Sequence, residues 1–165
     1  MKAALDVHYK DSGVVAACVV FASWSDSAPI EIVRAAVSGA SPYRAGRFYL
    51  RELPCLMAVL ERAGRRFDTI VIDGYVHLRE DAGKGLGVHL HQALVYAPAV
   101  VGVAKNSLKI ADRFLPILRG KSARPLFVSA VGCPVDRAAR SILSMHGPYR
   151  IPTLLKLADH HARSA

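Results

Sequence analysis

The alternation of apolar and polar residues in the first third of the chain is typical of β-strands. Residues 3–9 are short and β-compatible, residues 14–24 are rich in β-branched side chains, and residues 30–37 can return as a third strand. Turn-forming residues separate these segments at 10–13 and at 25–29. Because both connections are tight, we expect an antiparallel three-strand meander.

Beyond the meander the period changes to that of helices. Apolar side chains recur at intervals of three and four over residues 50–63, and Gly64 follows as a stop signal. The later segments predict a strand at 69–72, a helix at 89–96, a strand at 99–104, a short strand at 126–128, a helix at 135–145 and a last helix opening at Ile151-Pro152. Strands joined through helices usually run parallel. The order therefore predicts a single α/β domain over residues 1–165, with a ribonuclease H-like mixed sheet and helices on its faces.

Composition and charge narrow the classes of function. The chain has 165 residues, of which 52% are hydrophobic, so wholesale disorder is excluded. Its 22 Lys and Arg residues against 13 Asp and Glu give a net charge of +9, which favours nucleic acid as the partner, with an anionic membrane surface as the alternative. The longest apolar run, residues 14–22, is too short for a membrane helix, so we expect no membrane partner.

Cysteine spacing bears on the compartment. Cys18, Cys55 and Cys133 lie far apart and form no CxxC pair, which indicates reduced thiols rather than a disulfide framework. The first residues meet charge too soon for a signal peptide. We therefore expect a cytoplasmic protein, and take it to be a monomer.

Three acidic residues conflict with the apolar pattern around them. Asp6 interrupts the first strand, Asp73 ends the most hydrophobic strand, and Glu52 lies in the first turn of the first long helix. If the first and fourth strands are neighbours, these carboxylates can converge on one point. Converging carboxylates favour a hard divalent cation such as Mg²⁺. Lys105 ends the next strand and could neutralise phosphate charge at the same edge.

Each acid also has a purely structural interpretation. An Asp before Gly at a strand end is common turn chemistry, which applies to Asp73. A first-turn Glu is favoured by the helix dipole, which applies to Glu52. Asp6 has no such role in the middle of a strand. The three acids are therefore informative mainly as a set.

Six segments, which follow the family's order along the chain, resemble the endonuclease V family. Residues 41–54 (SPYRAGRFYLRELP) resemble its PYxPGxLxFRExP signature. The further matches are LDVHY at 5–9, VIDG at 71–74, GLGV at 85–88 with His91, GVAK at 102–105, and YRIP at 149–152 with LAD at 157–159. The resemblance covers nearly the whole chain.

The resemblance implies a ribonuclease H-like nuclease that uses Mg²⁺, with Mn²⁺ as a substitute. Such enzymes cleave the second phosphodiester bond 3′ to a deaminated base, above all inosine, in DNA or RNA. By position, Asp6, Glu52 and Asp73 would be the catalytic and metal-binding carboxylates, with Asp159 near the metal. Lys105 would be the catalytic lysine.

The same resemblance implies residues that contact nucleic acid. Tyr43 would be the wedge that fills the gap left by an extruded base, and His91 would contact a phosphate or support the metal site. The base pocket would draw on Gly46, Phe48, Gly74, Val76, Val88 and Leu108, and the strand contacts on Arg51 and Arg79.

Two departures from the family pattern leave substrate choice open. Ala45 replaces the wedge proline, and Val76 replaces a glycine beside the base. Two other functions remain as alternatives: a ribonuclease H-like nuclease that acts on structured strands, and a non-catalytic nucleic-acid-binding module.

Overall fold

A computed structural model describes residues 1–10, 13–37, 49–79, 83–111 and 113–164. These residues form one mixed sheet with helices on both faces. The strands are β1 (Lys2–Lys10), β2 (Gly13–Phe21), β3 (Glu31–Val37), β4 (Thr69–Asp73), β5 (Ala99–Ala104), β6 (Phe114–Ile117) and β7 (Leu126–Val131). The helices are α1 (Tyr49–Ala63), α2 (Leu86–Ala93), α3 (Val135–Ser144) and α4 (Thr153–Arg163).

The strand order is β3-β2-β1-β4-β5-β7-β6. β1, β2 and β3 form the antiparallel meander that the sequence predicts, and β1, β4 and β5 run parallel. The predicted ribonuclease H-like arrangement is confirmed. Because β4 lies directly beside β1, the acids on these two strands become neighbours.

The far edge of the sheet differs from the prediction. β7 pairs antiparallel with both β5 and β6, and β6 has no counterpart in the sequence prediction. Pro116 lies within β6, and proline breaks the alternating pattern by which strands are recognised. An edge strand tolerates proline because one side of its backbone has no neighbour.

Two other boundaries also shift. β2 ends at Phe21 rather than at residue 24, because the Asp26 carboxylate accepts hydrogen bonds from the Ala22 and Ser23 N–H groups at 3.0 and 2.8 Å. The second helix covers Leu86–Ala93 rather than 89–96. Its start is fixed by the Gly85 N–H, which donates to the Val76 carbonyl at 3.0 Å.

The sheet separates two hydrophobic cores. α1 and α2 cover one face, with Leu5 and Ile72 in that core, whereas α3 and α4 cover the other, with Ala4 and Val71. This alternation follows from the two-residue period of a strand. It decides which face each acid of β1 and β4 occupies.

Two further observations complete the fold. All three cysteines carry free thiols, and Cys18 and Cys55 are buried. Over the described ranges, no helix has the length and apolar character needed to cross a membrane.

Candidate active site

Asp6 and Asp73 lie side by side at the end of the parallel pairing between β1 and β4. Leu5 pairs with Ile72, so the next residue on each strand brings the two aspartates level. Since successive side chains alternate between faces, both aspartates share the face covered by α3 and α4. The sequence prediction required this arrangement.

Lys105 and Asp159 lie with these aspartates. Lys105 follows β5, and its Nζ donates a hydrogen bond to Asp73 Oδ2 at 2.5 Å. Asp159 belongs to α4 and accepts a hydrogen bond from Arg163 Nε at 2.8 Å. All four residues line a cavity of about 350 Å³, which also contacts Tyr149, Arg150, Ile151, Leu155, Lys156 and Ala158.

Glu52 approaches from the opposite face of the sheet. It lies in the first turn of α1 and is only 8% exposed. Burial, followed by the charges of Asp6 and Asp73, raises the pKa of Glu52 to about 8. The carboxylates of the two faces are therefore near enough to interact electrostatically.

The acids on the cavity face respond to different neighbours. Burial and the Asp73 charge raise the pKa of Asp6 to about 7, although the Val7 N–H, which donates to Asp6 Oδ1 at 2.8 Å, acts in the opposite direction. Burial also acts to raise the pKa of Asp159, but its hydrogen bond to Arg163 lowers it. Against the effect of burial, Asp73 raises the pKa of Lys105.

The donor chemistry of this site fits a hard divalent cation. Carboxylate oxygens are the ligands that Mg²⁺ prefers. Burial, and after it the neighbouring carboxylates, raises the pKa values of Asp6 and Glu52, so a cation would stabilise their charged forms. Within the described residues, no three His, Cys, Asp or Glu side chains are grouped closely enough to hold a metal ion. One oxygen of Asp73 is engaged by Lys105 instead.

Comparison with known proteins decides the family. The family profile for Endonuclease V matches residues 1–160 of the chain. The chain belongs to the endonuclease V family. Endonuclease V of Streptomyces avermitilis is 31% identical over 189 aligned residues, which cover 98% of this chain and 78% of that protein. Endonuclease V of Xanthomonas axonopodis pv. citri is 32% identical, covering 97% of this chain and 75% of that protein.

Solved structures of endonuclease V have the same fold. The crystal structure of the Streptomyces avermitilis protein has a TM-score of 0.76 at 28% identity, covering 98% of this chain and 78% of that one. A Ciona intestinalis endonuclease V, solved with a 23mer DNA containing an inosine followed by a ribo-adenosine, has a TM-score of 0.78 at 19% identity, covering 98% and 83%. The chain is thus a nucleic-acid endonuclease by family.

His91, implied by the endonuclease V resemblance to serve this site, lies elsewhere. Its Nδ1 is 2.8 Å from the carbonyl oxygen of Pro98, which precedes β5, whereas Lys105 follows β5. Six residues of extended strand span about 20 Å. The structure therefore does not bring His91 to the acids, and its ring contacts the loop before β5 instead.

Two of the residues expected to form the base pocket of an endonuclease V lie side by side, because the Val88 N–H donates to the Val76 carbonyl at 3.4 Å. Val76 is fully buried and Val88 is buried in the same core, so neither lines an open pocket. Gly74 follows Asp73 with a φ of +134°, a conformation that favours glycine, and Leu108 is exposed. Tyr43, Gly46 and Phe48 lie outside the described residues.

The two arginines expected to contact the strand differ in their surroundings. Arg51 lies in the first turn of α1, and its guanidinium carbon is 3.6 Å from the centre of the Tyr9 ring. Arg79 is exposed, and its N–H donates to the Ile110 carbonyl at 2.7 Å. Neither of them is among the residues that line the acidic cavity.

The sequence predicts no role for three polar residues that line the cavity. Tyr149, Arg150 and Lys156 come from the segment around the start of α4, which packs on β1 and β2. Tyr149 and Arg150 belong to a matched family motif, and this was the available signal. Spacing alone could not show that the segment covers the acids.

Proposed function

We propose that this chain is a divalent-metal-dependent endonuclease that cleaves DNA or RNA at the second phosphodiester bond 3′ to a deaminated base such as inosine. The observation that carries the proposal is the placement of Asp6, Asp73, Lys105 and Asp159 around one cavity. The net charge of +9 suits a polyanionic substrate. The inosine-containing DNA bound by the Ciona relative supports the substrate class.

The carboxylates are the proposed metal ligands. Asp6, Glu52 and Asp73, with Asp159 beside them, would hold Mg²⁺, and Mn²⁺ would substitute for it. When bound, such a cation activates water and stabilises the leaving oxygen of a phosphodiester. The raised pKa values of Asp6 and Glu52 mean that, without a cation, both keep a proton at neutral pH for part of the time. Cation binding would therefore release protons.

Lys105 supplies a fixed positive charge beside the acids. Its raised pKa keeps the ammonium protonated at neutral pH, where it can neutralise charge that develops on a phosphate. Arg150 holds the backbone at this point, because its Nη2 donates to the carbonyl oxygens of Lys105 and, at 2.8 Å, of Pro125. Arg150 is thus a positioning residue for the lysine.

Matched oligonucleotides test the proposal. Inosine-containing and unmodified DNA and RNA strands of the same sequence are incubated with the protein and Mg²⁺ or Mn²⁺, with EDTA as the control. We expect metal-dependent cleavage at the second phosphodiester bond on the 3′ side of inosine. The products should carry 3′-hydroxyl and 5′-phosphate ends. Binding without cleavage under all these conditions would favour the non-catalytic module and overturn the proposal.

One observation favours a second function, a nuclease of the same fold that selects substrates by strand structure. The Val76 side chain fills space against α2: a β-carbon on Gly87 would come within 2.6 Å of Val76 Cγ2. A site for an extruded base at this position would therefore have to displace a buried side chain. Equal cleavage of inosine and unmodified strands, with preference for branched or single-stranded junctions, would support this alternative.

A further inference from the structure

We propose that Tyr149 is a stacking platform for one base of the substrate strand, next to the phosphate that enters the acidic cavity, and that Lys156 contacts the phosphate beside that base. The inference rests on the proposed nuclease function and extends it to a nucleotide subsite. The ligand is a single-stranded segment of nucleic acid, recognised without regard to base identity.

The exposure of Tyr149 is the first argument. Tyr149 is 70% exposed, although it lines the cavity that holds Asp6 and Asp73. The other tyrosines in the described residues are buried or half-buried. A solvent-exposed aromatic ring, beside a cavity that would receive a phosphate, is a surface on which a base can stack.

The backbone that presents Tyr149 is held firmly. Arg119 is only 6% exposed, and its guanidinium donates to the carbonyl oxygens of Tyr149, Met145 and Gly147. Gly120 adopts a φ of +64°, and a β-carbon there would collide with the Pro148 carbonyl oxygen. The buried Arg119 side chain donates hydrogen bonds to three carbonyls of one loop. This ordered backbone therefore holds Tyr149 in its exposed position.

The platform is linked to the catalytic lysine. Arg150, the next residue after Tyr149, donates to the Lys105 carbonyl oxygen. The backbone at Tyr149 and Arg150 is therefore tied to the backbone of Lys105. A base on Tyr149 would place its own phosphate near the acids.

Lys156 provides the matching charge. It is exposed, it lines the same cavity, and it lies one helical turn before Asp159 on α4. An aromatic ring beside a lysine is the combination that proteins use to bind single strands irrespective of sequence. The surface that borders the acids thus offers one ring for a base and one charge for a phosphate.

Binding of labelled single strands tests the subsite. Tyr149→Ala, Tyr149→Trp and the control Tyr96→Ala, a tyrosine in another groove, are compared with the unaltered full chain by fluorescence anisotropy of a 12-nucleotide DNA in EDTA. We expect Tyr149→Ala to weaken binding about 5- to 150-fold, as one lost stack predicts. Tyr149→Trp should bind at least as well as the unaltered chain, and Tyr96→Ala should be unchanged.

An abasic scan makes the test specific. A single abasic nucleotide is moved along the strand, and the unaltered chain should lose affinity at one position. Tyr149→Ala should show no loss at that position, because the stack is already absent. Lys156→Gln should keep the abasic step and reduce the salt dependence of binding by about one ion. An unchanged affinity of Tyr149→Ala, or an abasic profile equal to that of the unaltered chain, would overturn the subsite.

Cleavage by the unaltered chain, measured in parallel with Mg²⁺, separates the two proposals. Cleavage without any effect of Tyr149 on binding would remove the subsite and leave the nuclease function. A loss of affinity at one abasic position that depends on Tyr149, without any cleavage, would support the subsite and overturn the nuclease function. Thermal unfolding of each variant verifies the fold. If the alanine variant is unstable, weaker binding by a folded Tyr149→Trp than by the unaltered chain would overturn the subsite.

Discussion

Asp6 and Asp73 lie next to each other on adjacent parallel strands, one residue beyond the paired Leu5 and Ile72. Two carboxylates on one face of a sheet repel each other, and Lys105 bonds to only one of them. Burial, followed by this repulsion from Asp73, raises the pKa of Asp6 to about 7. Under the proposed function, this pair would contribute both to cation binding and to the pH dependence of the site.

Substitution of either aspartate should abolish cleavage and spare binding. Asp6→Asn and Asp73→Asn each replace a proposed metal-binding carboxylate with a neutral amide. We therefore expect the rate of Mg²⁺-dependent nicking to fall by at least about 100-fold. The affinity for the nucleic-acid strand should change less than threefold, because neither substitution removes a Lys or Arg. Asp136→Asn, which breaks a surface ion pair with Arg140, is the matched control. Nicking at the normal rate in Asp73→Asn would contradict the metal assignment.

Stability without metal should decrease as the pH rises. Folded Asp6 and Glu52 have pKa values of about 7 and about 8, above the ordinary values of 3.8 and 4.5. Between about pH 4 and pH 8 the folded chain therefore binds more protons than the unfolded chain. The free energy of unfolding then falls with pH, by up to about 1.4 kcal/mol per pH unit for each such group.

Urea unfolding in EDTA at pH 5.5 and pH 8.5 measures this effect. Asp6→Asn with Glu52→Gln should flatten the difference, since neither amide titrates. Added Mg²⁺ should restore stability mainly at pH 8.5, where the carboxylates are ionised. Stability that rises over this pH range in the unaltered chain would show that folding does not raise the pKa values of these acids.

Arg150 should act on the rate rather than on strand binding. Arg150→Gln removes the hydrogen bonds to the Lys105 and Pro125 carbonyls, so the ammonium loses its fixed position. We expect single-turnover cleavage to slow by about 10- to 100-fold with a change in Kd below threefold. Arg124→Gln, which alters an exposed arginine next to Pro125, removes an equal charge and should have little effect. A loss of affinity that accounts for the whole effect would assign Arg150 to strand binding.

Val76→Gly tests whether a base site lies beneath Val76. Removal of this fully buried side chain should cost about 2–4 kcal/mol in the free energy of unfolding. It should also increase the preference for inosine over unmodified strands, because it opens the space against Gly87. Val59→Ala alters a different fully buried valine, which lies on α1. It should destabilise the fold comparably without altering the preference for inosine. An unchanged preference in Val76→Gly would place base recognition elsewhere.

The sequence predicts the elements with strong periodicity and misses those fixed by tertiary contacts. The meander, β4, β5 and α1 follow from their own side chains. β6 does not, because Pro116 interrupts it and its pairing with β7 forms only in the assembled sheet. The start of α2 depends on the Val76 carbonyl, which accepts a hydrogen bond from the Gly85 N–H. Gly85 and Gly87 have low helix propensity, so the sequence predicts the start of this helix three residues too late.

The same distinction applies to the candidate site. Asp6 and Asp73 stand out because each breaks a local rule, and the neighbouring of β1 and β4 follows from element order. His91 was implied by motif position, and sequence alone could not show that the loop before β5 would take its ring. Arg119 gave no signal, because a lone arginine in an irregular segment has no local pattern that reports its burial.

The placement of Glu52 on one side of the sheet and of the aspartates on the other links cutting to complete folding. Glu52 is positioned by the packing of α1, and Asp159 by the packing of α4. A nascent chain that has assembled only one of the two layers holds an incomplete set of acids. Under the proposed function, we therefore expect cleavage to begin only after both helical layers have packed on the sheet.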